Sequence, residues 1–163
     1  MTRPPTSVTF TFTIYAGSPT EQQFGELIKD QAKDAGFTVN LQVLEGAAVA
    51  VLQMKHQFDA LSYFWSGRLD PDGNTYAWWH TGGDFNDSSY SNAQVDGWLE
   101  DARTTTDQAK RKLDYQNAQK QIVTDAPYVF SIFGVSSQIS DTKIHNFTLY
   151  PDLMIRMAEV WKG

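Results

Sequence analysis

Apolar and polar side chains alternate strictly near the start of the chain, where residues 8–15 read VTFTFTIY. This alternation is typical of a strand with one buried face. A helix is predicted to follow, because Ser18 and Glu21 form a capping box and Pro19 occupies the first helical position. Apolar residues then recur at helical spacing, and Gly36 is suited to end the helix in a left-handed turn. A second alternating stretch after Gly36 completes a strand–helix–strand unit.

The rest of the chain predicts further helices and strands. Residues 47–55 and 76–80 favour short helical segments, and residues 58–65 (FDALSYFW) favour a third strand, apolar enough to be central in a sheet. Two amphipathic helices follow, the second over residues 107–124. The side chains expected to face inward are Val95, Trp98, Leu99 and Ala102 on the first, and Ala109, Leu113, Ile122 and Val123 on the second. Weaker strand patterns lie at residues 127–133, 135–139 and within 147–161. This order of elements predicts an α/β domain with a mixed sheet flanked by helices.

Composition narrows the possible classes of function. The chain has 163 residues, 41% of them apolar, which predicts a single domain over residues 1–163 with a flexible tail at residues 1–7. A formal net charge of −6 disfavours a nucleic-acid-binding surface. The absence of cysteine excludes disulfides and thiolate metal sites. No apolar run is long enough to span a membrane, and the first residues lack the apolar stretch of a signal peptide.

Residues 62–74 (SYFWSGRLDPDGN) are the richest in candidate chemistry, and they follow the predicted third strand. Ligand crevices of open α/β sheets lie at the carboxyl ends of strands. Aromatic rings at such a place offer broad contact surface, while a few polar groups orient the ligand. Arg68 could hold a carboxylate through two parallel hydrogen bonds. Alternatively, Arg68 could pair with Asp70 or Asp72 and stiffen a surface turn.

The end of this segment is predicted to be a turn and not a metal loop. Pro71 presets φ, and Gly73 and Asn74 are expected at positive φ. The acidic residues lack EF-hand spacing, and the three histidines are not spaced as helical zinc ligands, so no metal site is expected. No serine lies in a Gly-x-Ser-x-Gly elbow, so no catalytic residue is assigned. Four aromatic residues further on could line a groove or fill the core: Trp78, Trp79, Phe85 and Tyr90.

Four segments occur in an order and at a spacing that one protein family shares. They are residues 24–43 (FGELIKDQAKDAGFTVNLQV), residues 58–74, residues 86–96 (NDSSYSNAQVD) and residues 107–127. Through these segments, residues 9–162 resemble the last third of the family 5 extracellular solute-binding proteins. Those proteins are receptors of ABC importers for peptides, glutathione-like compounds, nickel chelates and some sugars.

The resemblance implies a periplasmic-binding-protein type II fold, in which two lobes close around a ligand. This chain would contain most of the C-terminal lobe, excised from a larger protein whose first lobe is absent, and that excision would also explain the missing signal sequence. An isolated lobe is expected to bind ligand weakly or not at all, because half of the enclosing surface is missing.

The resemblance also implies a set of ligand-binding residues at the end of the third strand and in a later loop. They are Tyr63, Trp65, Ser66, Gly67, Arg68, Asp70 and Asn86. Peptide-binding relatives often carry an acidic residue at the position of Gly67, where it receives the peptide's amino terminus. Because glycine cannot do this, a ligand carboxylate bound by Arg68 is the hypothesis that replaces it.

The implied function is the substrate-binding component of an ABC importer, binding a peptide or a related small solute without catalysis or a cofactor. Its partners would be the ligand, the missing lobe and the permease subunits, with no nucleic acid. Its place would be the periplasm or the outer face of a bacterial membrane. Three alternatives stay open: the ligand-sensing domain of a transcriptional regulator with the same fold, an enzyme such as a hydrolase, and a carbohydrate-binding module.

Overall fold

A computed structural model describes residues 8–65, 67–131, 137–150 and 154–163. The chain divides into two compact units, Met1–Trp65 and Ser66–Gly163. The tail predicted at residues 1–7 lies outside the described residues. The assignment of the whole chain to one domain stays a prediction.

The first unit is a parallel sheet with helical crossovers. Its elements, in chain order, are β1 (Val8–Tyr15), α1 (Pro19–Asp34), β2 (Phe37–Leu44), α2 (Gly46–Met54) and β3 (Ala60–Leu61). The strand order is β2-β1-β3, and both pairings are parallel. The register joins β1 to β2 along its whole length, from Val8 opposite Phe37 to Tyr15 opposite Leu44. All three strands therefore end at the same edge of the sheet, which is where ligands bind in open α/β folds.

Local signals explain where α1 begins and ends. The Ser18 Oγ accepts a hydrogen bond from the Glu21 backbone N–H at 3.3 Å, and Pro19 occupies the first turn. After the helix, Gly36 adopts φ +89°, a conformation that a side chain would oppose. The N-cap at Ser18 and the left-handed turn at Gly36 are confirmed. The described contacts of these residues include no return bond from the Glu21 side chain to the Ser18 N–H, so the predicted capping box is only half formed.

The core of the first unit lies between the sheet and α1. Phe12, Ile14 and Val39 are buried, and Phe24, Ile28 and Ala32 of α1 pack against them. Burial of each large apolar side chain contributes roughly 1.5–3 kcal/mol. A Cβ at Gly25 would lie 2.7 Å from Leu41 Cδ1, so this glycine permits the close approach of α1 to β2.

The third strand is much shorter than predicted, and it is not central. Residues 58–65 were expected to form it, but β3 contains only Ala60 and Leu61, and β1 takes the central position. The Asp59 carboxylate accepts the Thr11 N–H at 2.8 Å, where a continued strand would offer a backbone carbonyl. One further bond, from Ser62 N–H to the Thr13 carbonyl at 2.9 Å, follows the strand. The aromatic residues that follow, 63–65, pack ring against ring and do not continue the strand.

The regular structure described in the second unit is mainly helical. A 3₁₀ turn (Asp72–Asn74) leads into α3 (Tyr76–Trp79), α4 (Ala93–Thr104) and α5 (Gln108–Asp125). The side-chain oxygens of Asn92 and Asp107 cap α4 and α5 by accepting N–H groups of the first turn. Six buried side chains form the core: Trp78, Trp79, Val95, Leu99, Ala118 and Ile122. Within the described part of the chain, no helix is both long and apolar enough to cross a bilayer.

The buried face of α5 differs from the prediction. Ala109, Leu113 and Val123 are exposed, and only Ile122 of the four expected residues is buried. The buried residues are Asp114, Ala118 and Ile122, which are spaced four apart. Asp114 is buried because Lys110 of the same helix donates to its carboxylate at 2.7 Å and also reaches Asp101 of α4. Asp114, paired with Lys110, is therefore buried where the hydropathy pattern predicted Leu113 to be.

The C-terminal region contains little regular structure. Two short strands, β4 (Ile144–His145) and β5 (Trp161–Lys162), pair antiparallel in a sheet separate from the parallel one. Strands were predicted at residues 127–133, 135–139 and within 147–161. The described residues of these segments form no strand, apart from Trp161 in β5, so these predictions are wrong there. Residues 132–136 and 151–153 lie outside the described residues. Many large apolar side chains of this region are exposed, among them Val129, Ile139, Ile155 and Met157. The α/β class itself is confirmed.

Candidate functional site

An aromatic cluster lies at the carboxyl end of the parallel strands in the first unit. It consists of Tyr15, the last residue of β1, together with Tyr63, Phe64 and Trp65, which follow β3. The rings of Tyr15 and Phe64 are 5.6 Å apart, those of Tyr63 and Phe64 are 6.3 Å apart, and those of Tyr63 and Trp65 are 5.1 Å apart. These separations are within the range of favourable aromatic contact.

The aromatic cluster is accessible to solvent. Tyr63, Phe64 and Trp65 are all exposed, and Phe64 most of all. Exposed aromatic side chains at the carboxyl edge of a parallel sheet suit a ligand-binding surface, because the rings give contact area at low conformational cost. The sequence predicted Tyr63 and Trp65 for this role, and it missed Tyr15. Only the parallel pairing of β1 with β3 brings Tyr15 to the same edge.

A polar turn, residues 67–75, begins the described part of the second unit. The Asn74 carboxamide organises it: Oδ1 accepts the Arg68 N–H at 2.7 Å, and Nδ2 donates to the carbonyls of Arg68 (2.6 Å) and Asp70 (3.1 Å). The Asp70 carboxylate accepts the Asp72 N–H at 2.8 Å, and the Thr75 hydroxyl donates to the Pro71 carbonyl. These hydrogen bonds restrain the backbone of the turn.

The expectation of positive φ at Gly73 and Asn74 is wrong, because both lie at the 3₁₀ turn with ordinary φ. Gly73 lies in a tight contact: a Cβ there would lie 3.0 Å from Arg68 Cβ and 3.2 Å from Arg68 Cγ, so Arg68 would have to shift by a few tenths of an ångström. The glycine therefore lets the two limbs of the polar turn approach each other.

Two arginines of the following helices anchor the polar turn. Arg111 Nη2 of α5 donates to Asp70 Oδ1 at 2.8 Å, and Arg111 also bonds the Ala102 carbonyl and the Tyr115 hydroxyl. Arg103 Nε of α4 lies 3.2 Å from Asp72 Oδ1, as an ion pair without hydrogen-bond alignment. The Arg111 hydrogen bond, aided by the Asp72 N–H, holds the pKa of Asp70 below its ordinary value.

Sequence reasoning missed both anchoring arginines. It considered Arg68 as the partner of Asp70 or Asp72, since Arg68 is the nearest cation in the chain. In the structure, Asp70 and Asp72 contact arginines 41 and 31 positions further on, which no local pattern indicates. Arg68 and Gly67 are exposed in the polar turn, where Arg68 was predicted to meet a ligand carboxylate.

The remaining predicted residues differ in their surroundings. Asn86 is buried, and its carboxamide is engaged within its own loop: Nδ2 donates to the carbonyls of His80 and Tyr90, and Oδ1 accepts the Tyr90 N–H. We infer that Asn86 shapes this loop, and its contact with a ligand stays a prediction. Ser66 lies outside the described residues.

The aromatic residues that could line a groove or fill the core are divided between the two roles. Trp78 and Trp79 are buried in the core of the second unit. Phe85 is exposed and packs against Trp78 with ring centroids 5.1 Å apart. The Tyr90 hydroxyl donates to Asp125 Oδ2 at 2.6 Å, and partial burial, together with this bond, raises the pKa of Tyr90.

An open groove of about 610 Å³ lies beside the polar turn within the second unit. Its walls are the turn and α5. Amide, hydroxyl and basic groups line it, but the exposed surface of the walls is mainly apolar. The lining residues are Leu69, Pro71, Asn74, Thr75, Gln108, Arg111, Lys112, Tyr115, Gln116 and Gln119.

His80 is a further ionisable residue of the second unit. Its ring stacks on Tyr76 at 4.4 Å, and its Nε2 lies 3.0 Å from Glu100 Oε1. Partial burial lowers the pKa of His80, but the hydrogen bonds to Glu100 and the Thr81 carbonyl outweigh it, so the net pKa is raised. Among the described residues, no three His, Asp or Glu side chains are grouped as metal ligands.

Comparison with known proteins places this geometry in a family. Residues 2–86 match the family model described as "Bacterial extracellular solute-binding proteins, family 5 Middle". The chain is similar to the Escherichia coli (strain K12) protein named "Probable D,D-dipeptide-binding periplasmic protein DdpA", with 31% identity over 158 residues, covering 94% of this chain. It is also 24% identical to the oligopeptide-binding protein AppA of Bacillus subtilis (strain 168), over 93% of this chain. The chain spans 30% and 28% of the length of these two relatives.

Solved structures share the fold. The oligopeptide-binding protein AppA from Bacillus subtilis, in complex with a nonapeptide, superposes with a TM-score of 0.74 at 21% identity, over 95% of this chain and 32% of that one. NikA from Staphylococcus aureus, in complex with Ni(L-His)2, gives a TM-score of 0.69 at 19% identity, over 90% of this chain and 32% of that one. The expected periplasmic-binding type of fold is therefore confirmed.

Proposed function

This chain belongs to the bacterial extracellular solute-binding proteins of family 5, and we propose that it forms most of the C-terminal lobe of such a protein. The full protein would be the substrate-binding component of an ABC importer. Two facts support the view that the chain is one part of a longer protein of this family: the match runs along nearly the whole chain, and it spans less than a third of each of these two relatives. The remaining length of those relatives leaves room for the second lobe.

The proposed ligand is a peptide or a related small solute, enclosed by lobe closure. The observation that carries the proposal is the exposed aromatic cluster at the carboxyl ends of the parallel strands. In the proposed site, the rings of Tyr63 and Trp65 contact the body of the ligand. DdpA is named for D,D-dipeptides and AppA for oligopeptides, which favours peptides as the first class to test.

The polar turn supplies the proposed orienting groups. Gly67 leaves space, Arg68 offers a guanidinium to a ligand carboxylate, and Asp70 keeps the turn on α5 through Arg111. Charge-assisted bidentate pairs give orientation as well as energy. Ser66 belongs to the same proposed site, and Asn86 acts by shaping its own loop.

The proposed partners are the remaining lobe of the same protein and the permease subunits of the importer. The exposed apolar residues of the C-terminal region support the first, because soluble proteins seldom expose so many large apolar side chains without a partner surface. A location in the periplasm, or outside the cell on a membrane anchor, is proposed from the names of the relatives and of the family.

Binding without catalysis is also part of the proposal, since the family consists of solute-binding proteins. The same match favours a transport receptor over a regulator's sensor domain, an enzyme or a carbohydrate-binding module.

The test is isothermal titration calorimetry on the protein as its gene encodes it and on the 163-residue chain. The probes are L-alanyl-L-alanine, D-alanyl-D-alanine, a nonapeptide, glutathione and Ni(L-His)2. We expect at least one probe to bind the complete protein with micromolar or tighter affinity, and the 163-residue chain to bind it at least 100-fold more weakly.

Two results would contradict the proposal. Failure of the complete protein to bind any probe would remove the assignment to peptide or metal-chelate uptake. Equal affinity of the complete protein and the 163-residue chain would show that no second lobe is needed to enclose the ligand.

A further inference from the structure

The Asn74 carboxamide forms hydrogen bonds with both polar groups of the Arg68 backbone, the N–H and the carbonyl. Its Oδ1 accepts the Arg68 N–H at 2.7 Å, and its Nδ2 donates to the Arg68 carbonyl at 2.6 Å. A side-chain amide that contacts one residue in this way acts like a neighbouring strand and fixes that residue's φ and ψ. The direction in which the Arg68 side chain leaves the backbone is therefore set by Asn74.

The polar turn that carries Asn74 is itself held in place. Asp70 is bonded to Arg111 of α5, and Asp72 is paired with Arg103 of α4. Arg103 also lies over the Tyr76 ring, 3.9 Å from its centroid, which restrains the guanidinium. The restraint on Arg68 thus continues, through Asn74 and two carboxylates, to the helices of the second unit.

We propose that Asn74 is a positioning residue for Arg68, and that it orients the Arg68 guanidinium toward a carboxylate of the ligand. This inference rests on the proposed function. An exposed arginine on a mobile loop loses conformational entropy when it binds, and that loss cancels much of the gain. A backbone fixed in advance removes part of this loss, so Asn74 contributes to affinity without touching the ligand.

The test uses the complete protein with Asn74→Ala, Asn74→Asp, Arg68→Ala and the double variant Arg68→Ala/Asn74→Ala. Asn74→Asp keeps the acceptor for the Arg68 N–H but loses the donor to the Arg68 carbonyl. Gln119→Ala is the matched control, because Gln119 is an exposed amide lining the same groove. NMR hydrogen exchange of the Arg68 amide is measured without any probe. Calorimetry is then carried out with D-alanyl-D-alanine and with its C-terminal amide.

We expect the Arg68 amide to exchange roughly tenfold faster in Asn74→Ala and to be unchanged in Gln119→Ala. Arg68→Ala and Asn74→Ala should each weaken D-alanyl-D-alanine binding by roughly tenfold or more. The double variant should be no weaker than Arg68→Ala alone, because Asn74 acts only through Arg68. Asn74→Asp should fall between wild type and Asn74→Ala. The C-terminal amide should bind all of these variants alike.

Results that contradict these expectations distinguish the positioning role of Asn74 from the proposed function. Unchanged exchange of the Arg68 amide, or additive losses in the double variant, would overturn the positioning role while the proposed function stands. Equal affinity of the wild-type protein for D-alanyl-D-alanine and for its amide would overturn the carboxylate role of Arg68 and, with it, the role of Asn74, while the proposed function stands. Loss of affinity for both probes alike would point to a general disturbance of the fold and would overturn the inference too.

Discussion

At the scale of single residues, the polar turn shows how one side chain decides the geometry of another. Gly73 lies in a tight contact, because a Cβ would lie 3.0 Å from Arg68 Cβ, whereas Gly97 in α4 has nothing within 4 Å of a Cβ. The first glycine therefore eases the packing of the turn, and the second only lowers the helical propensity of α4.

We expect Gly73→Ala and Gly97→Ala to have opposite effects. Gly73→Ala should move the Arg68 backbone by a few tenths of an ångström and destabilise the protein by less than about 1 kcal/mol, since the turn is exposed. Gly97→Ala should stabilise the protein by about 0.5–1 kcal/mol, because alanine favours an exposed helix interior. Urea unfolding and the chemical shift of the Arg68 amide test both. A shift of that amide in Gly97→Ala, or none in Gly73→Ala, would contradict this account.

The Asp70 carboxyl gives a second prediction at this scale. The Arg111 hydrogen bond, followed by the Asp72 N–H, lowers its pKa below the ordinary value of 3.8. A carboxyl whose pKa is depressed in the folded state stabilises the fold above its unfolded pKa and loses that contribution as pH falls. The effect should therefore appear only below about pH 4. In Arg111→Met, an NMR titration of Asp70 should give a pKa closer to 3.8, and Arg111→Lys should restore part of the shift. The same pKa in all three proteins would show that Arg111 is not the cause.

At the scale of elements, α5 shows where sequence patterns succeed and where they fail. Its start was predictable, because Asp107 caps it through the N–H groups of Ala109 and Lys110. Its buried face was not, because Asp114 is buried while its carboxylate accepts from the exposed Lys110, which also reaches Asp101 of α4. A hydropathy pattern assigns such a carboxylate to the surface. It takes no account of a lysine one turn earlier that pairs with the carboxylate, or of the neighbouring helix.

A pair of adjacent residues on α5 tests this register. Ile122 is 4% exposed and Val123 is 56% exposed. Ile122→Ala should lower the free energy of unfolding by about 2–5 kcal/mol, because it leaves a cavity against the tryptophans of the core. Val123→Ala should change it by less than about 0.5 kcal/mol. Urea unfolding of the two variants measures the difference, and equal losses would mean that the helix is rotated relative to this description.

The strands, too, were predictable only in part. β1 and β2 were predictable, since each carries a full alternating pattern and the capped helix between them requires a crossover. β3 was overpredicted because the aromatic residues 63–65 have strand propensity, yet they pack with one another and with Tyr15. Two members of the aromatic cluster, Tyr63 and Trp65, could thus be inferred from the sequence, whereas Tyr15 could not. The anchoring of the polar turn by Arg103 and Arg111 could not, because those contacts join residues distant in the chain.

At the scale of the whole molecule, the distribution of exposed apolar side chains follows from the proposed function. The described residues after α5 include Val129, Ile139, Ile155 and Met157, all exposed, and Ile139 completely so. They lie in segments where strands were predicted and where the described residues, apart from Trp161, form none. This is the expected outcome when the surface that a strand pairs with or packs on belongs to another part of the protein.

Ile139→Ser gives the corresponding prediction. In the 163-residue chain, the substitution should change the unfolding free energy by less than about 0.5 kcal/mol, because the side chain is 100% exposed there. In the complete protein, where we propose that Ile139 packs against the remaining lobe, the same substitution should cost about 1–3 kcal/mol through lost apolar burial. Thermal and urea unfolding of both forms, with and without the substitution, compare the two losses. A small and equal effect in both forms would mean that Ile139 is exposed in the complete protein as well, and the packing role proposed for this region would then be wrong.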